Sequence, residues 1–209
     1  MFKRVILAAL VASVVVPLAA QAPAGWKMRL DQSKSAQDPD DKSGVTFMAM
    51  GKAFHVAGGP AGVYWNPTMT AAGNYTAKGT FTLLKPSNHT NYYGLVFGGQ
   101  ALEGAEQRYT YFTVAQDGTF LIKQRTGEAT RDIKGNTSSP AVRKPDATGK
   151  SVNALEVRVS GDTVSYVING MVVHTTPKSD LKLPTDGVVG FRVNHVTEVQ
   201  VDGFEVQKS

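Results

Sequence analysis

Residues 161–176 read GDTVSYVINGMVVHTT, two runs of β-branched and aromatic residues folded at Asn169-Gly170. Asn-Gly accepts positive φ at both central positions of a type I′ hairpin, so the two runs are expected to pair antiparallel. Gly161-Asp162 suits a type II′ turn and attaches a third strand, 152–160. A two-residue loop sets the register, which places Ile168 opposite Met171, Tyr166 opposite Val173 and Ser165 opposite His174. On the other side it places Arg158 opposite Ser165 and Val157 opposite Tyr166. One face of this meander then collects Leu155, Val157, Val159, Val164, Tyr166, Ile168, Met171 and Val173, an apolar set that demands a core. The opposite face carries Glu156, Arg158, Ser165 and His174 around Val167 and Val172, a mixture that fits a partly dry, ligand-lining surface.

The same pattern of short strands between Gly, Asn and Asp clusters continues outward in both directions, with almost no 3.6-residue periodicity after Gly25. Strands are expected near 45–50, 53–57, 62–65, 74–84, 91–98, 108–116, 119–126, 152–160, 163–168, 171–176, 187–194 and 197–207. At Asp117-Gly118 another type I′ hairpin is expected. It would put Tyr109, Tyr111, Thr113 and Ala115 with Phe120, Ile122 and Gln124, and Phe112 and Val114 with Leu121, Lys123 and Arg125. Large apolar groups fall on both faces of that pair, so both faces are expected to be covered. The class is all-β, a single antiparallel β-sandwich, and 209 residues with 42% apolar content suffice for one such core.

The chain opens with Lys3 and Arg4, an apolar run from Val5 to Val16, Pro17 and a stretch of small residues. This is the layout of a secretory signal peptide, assigned to residues 1–22, and it predicts a secreted or periplasmic protein. The apolar run is shorter than the roughly 20 residues of a membrane span. Residues 23–44 read as an N-terminal segment and polar loop, and 45–209 as the sandwich. Asp38, Asp40 and Asp41 of that loop lack the spacing of a calcium loop and read as a solvated acidic stretch. There are no cysteines, so no disulfide framework is possible. The formal charge of +5 includes Lys3 and Arg4; the remaining basic residues are scattered, which argues against nucleic-acid binding.

From Tyr111-Phe112-Thr113-Val114 through Asp117-Gly118-Thr119-Phe120, Asn153-Ala154-Leu155-Glu156-Val157, Val167-Ile168-Asn169-Gly170 and Gly187-Val188-Val189-Gly190-Phe191 to Val201-Asp202-Gly203-Phe204, the chain resembles the concanavalin A-like lectin and glucanase superfamily. Within it the likeness is to laminin-G-like modules and to the bacterial 3-keto-disaccharide hydrolase domain. The resemblance implies a jelly-roll sandwich, and its members range from sugar binders to hydrolases to domains without a ligand.

Catalysis has little support in the residues. No predicted strand carries carboxylates at i and i+2, the spacing that brings two acids within glycosidase distance on one face. The paired glutamates of the superfamily's glucanases are absent, and Ser165 with His174 lacks an elbow or oxyanion hole. No catalytic residue is assigned. The four histidines show no metal-ligand spacing, so neither a metal nor another cofactor is expected. Aromatic rings suit a sugar, because a ring packs on the C–H face of a pyranose while polar side chains take its hydroxyls. The candidate ligand-binding residues are therefore Trp65, Tyr92, Tyr109 and Tyr111, with Arg125, Glu156, Arg158, His174 and Arg192 as polar partners. The leading expectation is an exported carbohydrate-binding domain whose partner is a glycan. A 3-keto-disaccharide-type glycoside hydrolase and a structural or interaction domain are the alternatives.

Overall fold

The computed structural model describes residues 22–31 and 44–208. The signal-peptide assignment and the acidic residues Asp38, Asp40 and Asp41 lie outside these described residues.

Fourteen strands are present among them: β1 (Lys27–Leu30), β2 (Thr46–Met50), β3 (Ala53–Ala57), β4 (Gly62–Ala71), β5 (Tyr75–Lys85), β6 (Tyr92–Gln100), β7 (Arg108–Ala115), β8 (Thr119–Thr126), β9 (Ala129–Ser138), β10 (Ser151–Ser160), β11 (Thr163–Ile168), β12 (Met171–Pro177), β13 (Gly187–Val193) and β14 (Glu198–Lys208). They form two antiparallel seven-stranded sheets. Sheet A runs β1-β4-β13-β6-β7-β8-β9 and sheet B runs β12-β11-β10-β5-β14-β3-β2. Non-sequential neighbours in both sheets make this a β-sandwich of the expected class. A single 3-10 turn, Lys178–Asp180, is the only helical element among the described residues, and none there is long and apolar enough to cross a membrane.

The space between the sheets is filled mainly by aromatic rings. Phe47, Tyr64, Phe81, Tyr93, Phe97, Phe112, Tyr166 and Phe191 are fully buried there, with Leu155, Val157, Val159 and Val164 from the meander. Tyr64 stacks on Phe191 at 5.4 Å, and Trp26, ahead of β1, closes the core against Phe54 at 4.2 Å. Such ring pairs contribute beyond the area they bury. At the rim the Tyr75 hydroxyl donates to the Thr185 carbonyl at 2.6 Å.

Two strands and one extension differ from expectation. Residues 27–30, read as lead-in, form the short edge strand of sheet A. β9 was not expected because its sequence, ATRDIKGNTS, is mostly polar and charged, with Ile133 its one large apolar residue. It is the other edge of that sheet, where charge discourages pairing with a second molecule. β4 continues to Ala71 through Pro67, which a central strand normally rejects. Pro67 sits where pairing with β1 has ended at Trp65 and pairing with β13 skips from Trp65 to Thr70, so no ladder bond is lost.

Both hairpin registers need correction where they matter for function. Asn169 (φ 49°) and Gly170 (φ 84°) do adopt the expected type I′ turn, and Ile168 opposes Met171. Beyond Val167 and Val172, however, a β-bulge at Val173 shifts the ladder, so that His174 opposes Tyr166 and Thr175 opposes Ser165. His174 therefore leaves the face of Ser165 and stacks on Tyr166 at 5.9 Å. A bulge twists and shortens the useful length of an edge strand, which is what β12 is.

At Asp117-Gly118, Gly118 has φ 89° but Asp117 is not in the positive-φ region. The Gly118 N–H donates to the Ala115 carbonyl at 3.1 Å, so the turn centres on Gln116-Asp117, and Gly118 follows in the left-handed conformation. The Asp117 carboxylate locks it by accepting from the Thr119 N–H at 3.0 Å and hydroxyl at 2.6 Å. This longer loop slips the register by one residue. Tyr109 opposes Arg125, Tyr111 opposes Lys123 and Thr113 opposes Leu121, while Phe112 and Val114 join Ile122 and Phe120 in the core.

Candidate functional site

The slip at Gly118 puts aromatic and basic side chains together on the outer face of sheet A, the side away from sheet B. Register carries the row Lys27, Trp65, Gly190, Val96, Tyr111, Lys123, Asp132 across all seven strands. The next row is Arg29, Val63, Arg192, Gly94, Thr113, Leu121. Val63, Trp65, Val96, Leu102, Tyr109, Tyr111 and Leu121 make a second buried cluster there, separate from the inter-sheet core, with Tyr92 and Val188 packed on its rim. The expectation that both faces of the β7–β8 pair are covered is met.

A buried ionic group lies within this cluster. Asp31, directly after β1, accepts from Arg192 Nη2 at 2.6 Å and from Arg125 Nη1 at 2.8 Å through the same oxygen, Oδ2. Arg192 also donates to the Tyr109 hydroxyl at 3.1 Å, and its guanidinium carbon lies 5.4 Å from the Tyr111 ring centre, a cation–π contact. Arg125 Nε donates to the Gly127 carbonyl at 2.8 Å. Burial pushes the Asp31 carboxyl up, but Arg192 first and Arg125 next outweigh it and hold it below the usual carboxylate range. Burial also works against the Arg192 charge, yet Tyr109 and Asp31 outweigh it and keep that side chain firmly protonated. Burial raises the Tyr111 phenol to about 12, so it stays neutral under ordinary conditions.

A carboxylate held ionised in this way is a poor proton donor near neutral pH, which suits Asp31 to orienting cations or accepting from a hydroxyl rather than to acid catalysis. Beside Trp65 the face opens into a pocket of about 240 Å³, lined by Trp65, Pro67, Leu102, Glu103 and Val188. Lys27 bridges to Glu103 at 2.6 Å on its rim. Among the described residues no group of three or more His, Asp or Glu side chains is arranged to hold a metal.

Six of the nine expected ligand-binding residues, Trp65, Tyr92, Tyr109, Tyr111, Arg125 and Arg192, share this outer face of sheet A. The other three do not. Glu156 and Arg158 lie on the outer face of sheet B, where Arg158 donates to Glu156 from Nε at 2.9 Å and from Nη2 at 2.6 Å. Lys78 pairs with Glu205 beside them at 2.9 Å, and Lys78, Glu156 and Glu205 border an open depression of about 290 Å³ whose lining includes Thr80, Ala154 and Gly203. His174 lies at a sheet edge, where burial and then Lys134 lower its pKa. Asp31, Arg29, Lys123 and Thr113 were not expected at the site. The signal for the last two was Gly118, since a turn residue in the left-handed conformation after a type I turn predicts the longer loop and the other register.

Comparison with solved structures places the fold. The carbohydrate-binding module CBM66 from Bacillus subtilis superposes with a TM-score of 0.63 at 11% identity, covering 88% of this chain and 96% of that one. A Bacillus subtilis protein of unknown function with a galectin-like fold gives 0.62 at 14% identity, covering 88% and 89%. A double variant of human galectin-16 gives 0.50 at 12% identity, covering 68% and 92%. The chain has the concanavalin A-like sandwich fold. No family model matches it, and no curated protein matches its sequence.

Proposed function

We propose that this protein is an exported carbohydrate-binding β-sandwich that holds a glycan against the outer face of sheet A without cleaving it. The observation that carries the reading is the pocket lined by Trp65 on the outer face of sheet A, which shares that face with the partly exposed Tyr92, Lys123 and Arg125, while Tyr111 and Arg192 are themselves buried there. Aromatic carbon packs on pyranose C–H groups and planar cations fix hydroxyls, and few other arrangements of side chains serve a sugar as well. The fold shared with a carbohydrate-binding module supports the same class of ligand. Export rests on the charged and then apolar N-terminus.

A glycan array, followed by calorimetry and a parallel assay for released reducing sugar, tests this reading. Binding without release, abolished by Trp65→Ala in a variant that still melts cooperatively, is the expected result. Release of reducing sugar would favour the glycoside hydrolase alternative instead. A folded protein that retains no glycan on a broad array would leave the structural or interaction domain.

A further inference from the structure

A hairpin at the edge of sheet B brings two thioethers and an imidazole to one face. Gly51-Lys52 joins β2 to β3 as a two-residue turn with Gly51 at φ 64°, and a turn this short fixes the register. Met48 stands opposite His55, and Met50 opposite Ala53. Phe47 and Val56 belong to the inter-sheet core, so alternation sends Met48, Met50 and His55 together to the outer side. The two methionines are 41% and 52% exposed, so neither is spent filling a gap in the core, the usual work of this side chain.

Glu198 fixes His55. The ring's Nε2 lies 2.9 Å from Glu198 Oε1, and the histidine side chain is 17% exposed. An ionised carboxylate only accepts, so Nε2 carries the proton in this pair and the neutral ring keeps its lone pair on Nδ1. A carboxylate behind an imidazole is the arrangement that orients a metal-bound histidine and strengthens it as a donor. The spacings suit one ion: directly opposed residues have Cβ atoms about 4.5–5.5 Å apart, residues two apart on a strand about 6.5–7 Å, and diagonal neighbours such as Met50 and His55 about 7–8 Å. Ala53, the fourth corner of this group, contributes only a methyl group. Each methionine has three rotatable bonds with which to bring its sulfur inward.

We propose that Met48, Met50 and His55 form a three-coordinate site for the soft cation Cu(I), with Glu198 orienting the imidazole. Neutral thioethers are poor ligands for hard or borderline dications and good ones for Cu(I), and imidazole serves both. Histidine spacing gives no sign of such a site, because two of its three ligands carry sulfur.

The test titrates the full chain, without oxygen, with Cu(I) against a chromogenic Cu(I) chelator, and separately with Zn(II). One Cu(I) should bind per chain, and more tightly than Zn(II). Met48→Leu and Met50→Leu should each weaken Cu(I) binding by about tenfold or more, and Glu198→Gln by about 10–100-fold, the usual cost of losing a group that orients a ligand. Leucine has nearly the volume of methionine and both positions are exposed, so melting temperatures should hold. Met171, 53% exposed on β12 at the other edge of sheet B, is the control: Met171→Leu should leave the affinity as it was. No Cu(I) bound by the parent protein, Zn(II) bound as tightly, unchanged affinity in the Met48→Leu/Met50→Leu double variant, or an equal loss in Met171→Leu would each overturn the site. Its ligands lie on the other sheet from the Trp65 face, so none of these results bears on the glycan reading.

Discussion

Arg192 donates to the Asp31 carboxylate at 2.6 Å across 161 residues of sequence, tying the end of β1 to β13 on the outer face of sheet A. The contact is nearly dry, since the side chains are 7% and 15% exposed. Removing one member of such a pair strands the other's charge. Asp31→Asn is therefore expected to destabilise the fold by about 3–5 kcal/mol, measured by urea denaturation, because it leaves two guanidiniums facing an amide. A change below about 1 kcal/mol would mean that water already screens this group.

The same pair gives the protein an acid-sensitive element. The Asp31 carboxyl has its pKa lowered in the folded state, so its contribution is complete above the unfolded carboxylate value of ~3.9 and is lost as pH falls through the folded value. His174 acts at higher pH. Its folded pKa lies below the ordinary 6.5, so the unfolded chain takes up a proton first and stability declines as pH drops from about 6.5 toward the folded value. Melting temperatures at pH 7.5 and 5.5 should therefore fall less in His174→Gln than in the parent protein.

Gly190 sits between Trp65 and Val96 in the central row of the candidate site. A Cβ there would lie 2.4 Å from the Tyr64 carbonyl oxygen and 3.1 Å from the Trp65 Cβ. Backbone cannot yield to a methyl group cheaply, so Gly190→Ala should push β4 from β13 and cost about 1–3 kcal/mol. Trp65 emission should change with it, whereas an unchanged spectrum and melt would show that the strands have slack.

Two neighbours on β10 separate core from surface. Val157 is fully buried between the sheets, and Val157→Ala should cost about 1–3 kcal/mol through the cavity it leaves. Arg158, with its side chain 46% exposed and paired to Glu156, should change stability by no more than about 0.5 kcal/mol when replaced by Ala. Arg158→Ala should also leave glycan affinity unaltered, because it lies on sheet B. Lost affinity would move the site to the outer face of sheet B, beside Glu156 and Lys78.

Twelve of the strands were legible because each is a short run rich in β-branched and aromatic residues between turn-forming clusters, and a turn such as Asn169-Gly170 specifies its own geometry. The edge strands β1 and β9 were not, since an edge is kept short or charged to prevent further pairing, which erases the pattern that marks a strand. Site residues were legible by type but not by grouping. Tyr111 and Lys123 became neighbours only through the one-residue slip at Gly118, and His174 left the Ser165 face through the bulge at Val173. Both are irregularities of a single residue, yet with a side-chain period of two each reverses a face. Asp31 was illegible for another reason, because its partners, Arg125 and Arg192, are distant in the chain and meet it only in the assembled sheet.

Trp26 and Trp65, the two tryptophans, lie on opposite sides of sheet A: Trp26 packs against Phe54 in the core, and Trp65 belongs to the outer cluster. Their indole N–H resonances are two reporters within one spectrum. Titration with the oligosaccharide that binds most tightly on the array should shift the Trp65 signal together with the amides of Tyr111 and Lys123, and leave Trp26 in place. An unmoved Trp65 signal, with shifts instead at Lys78, Glu156 and Glu205 on sheet B, would contradict the assignment of the outer face of sheet A as the binding surface.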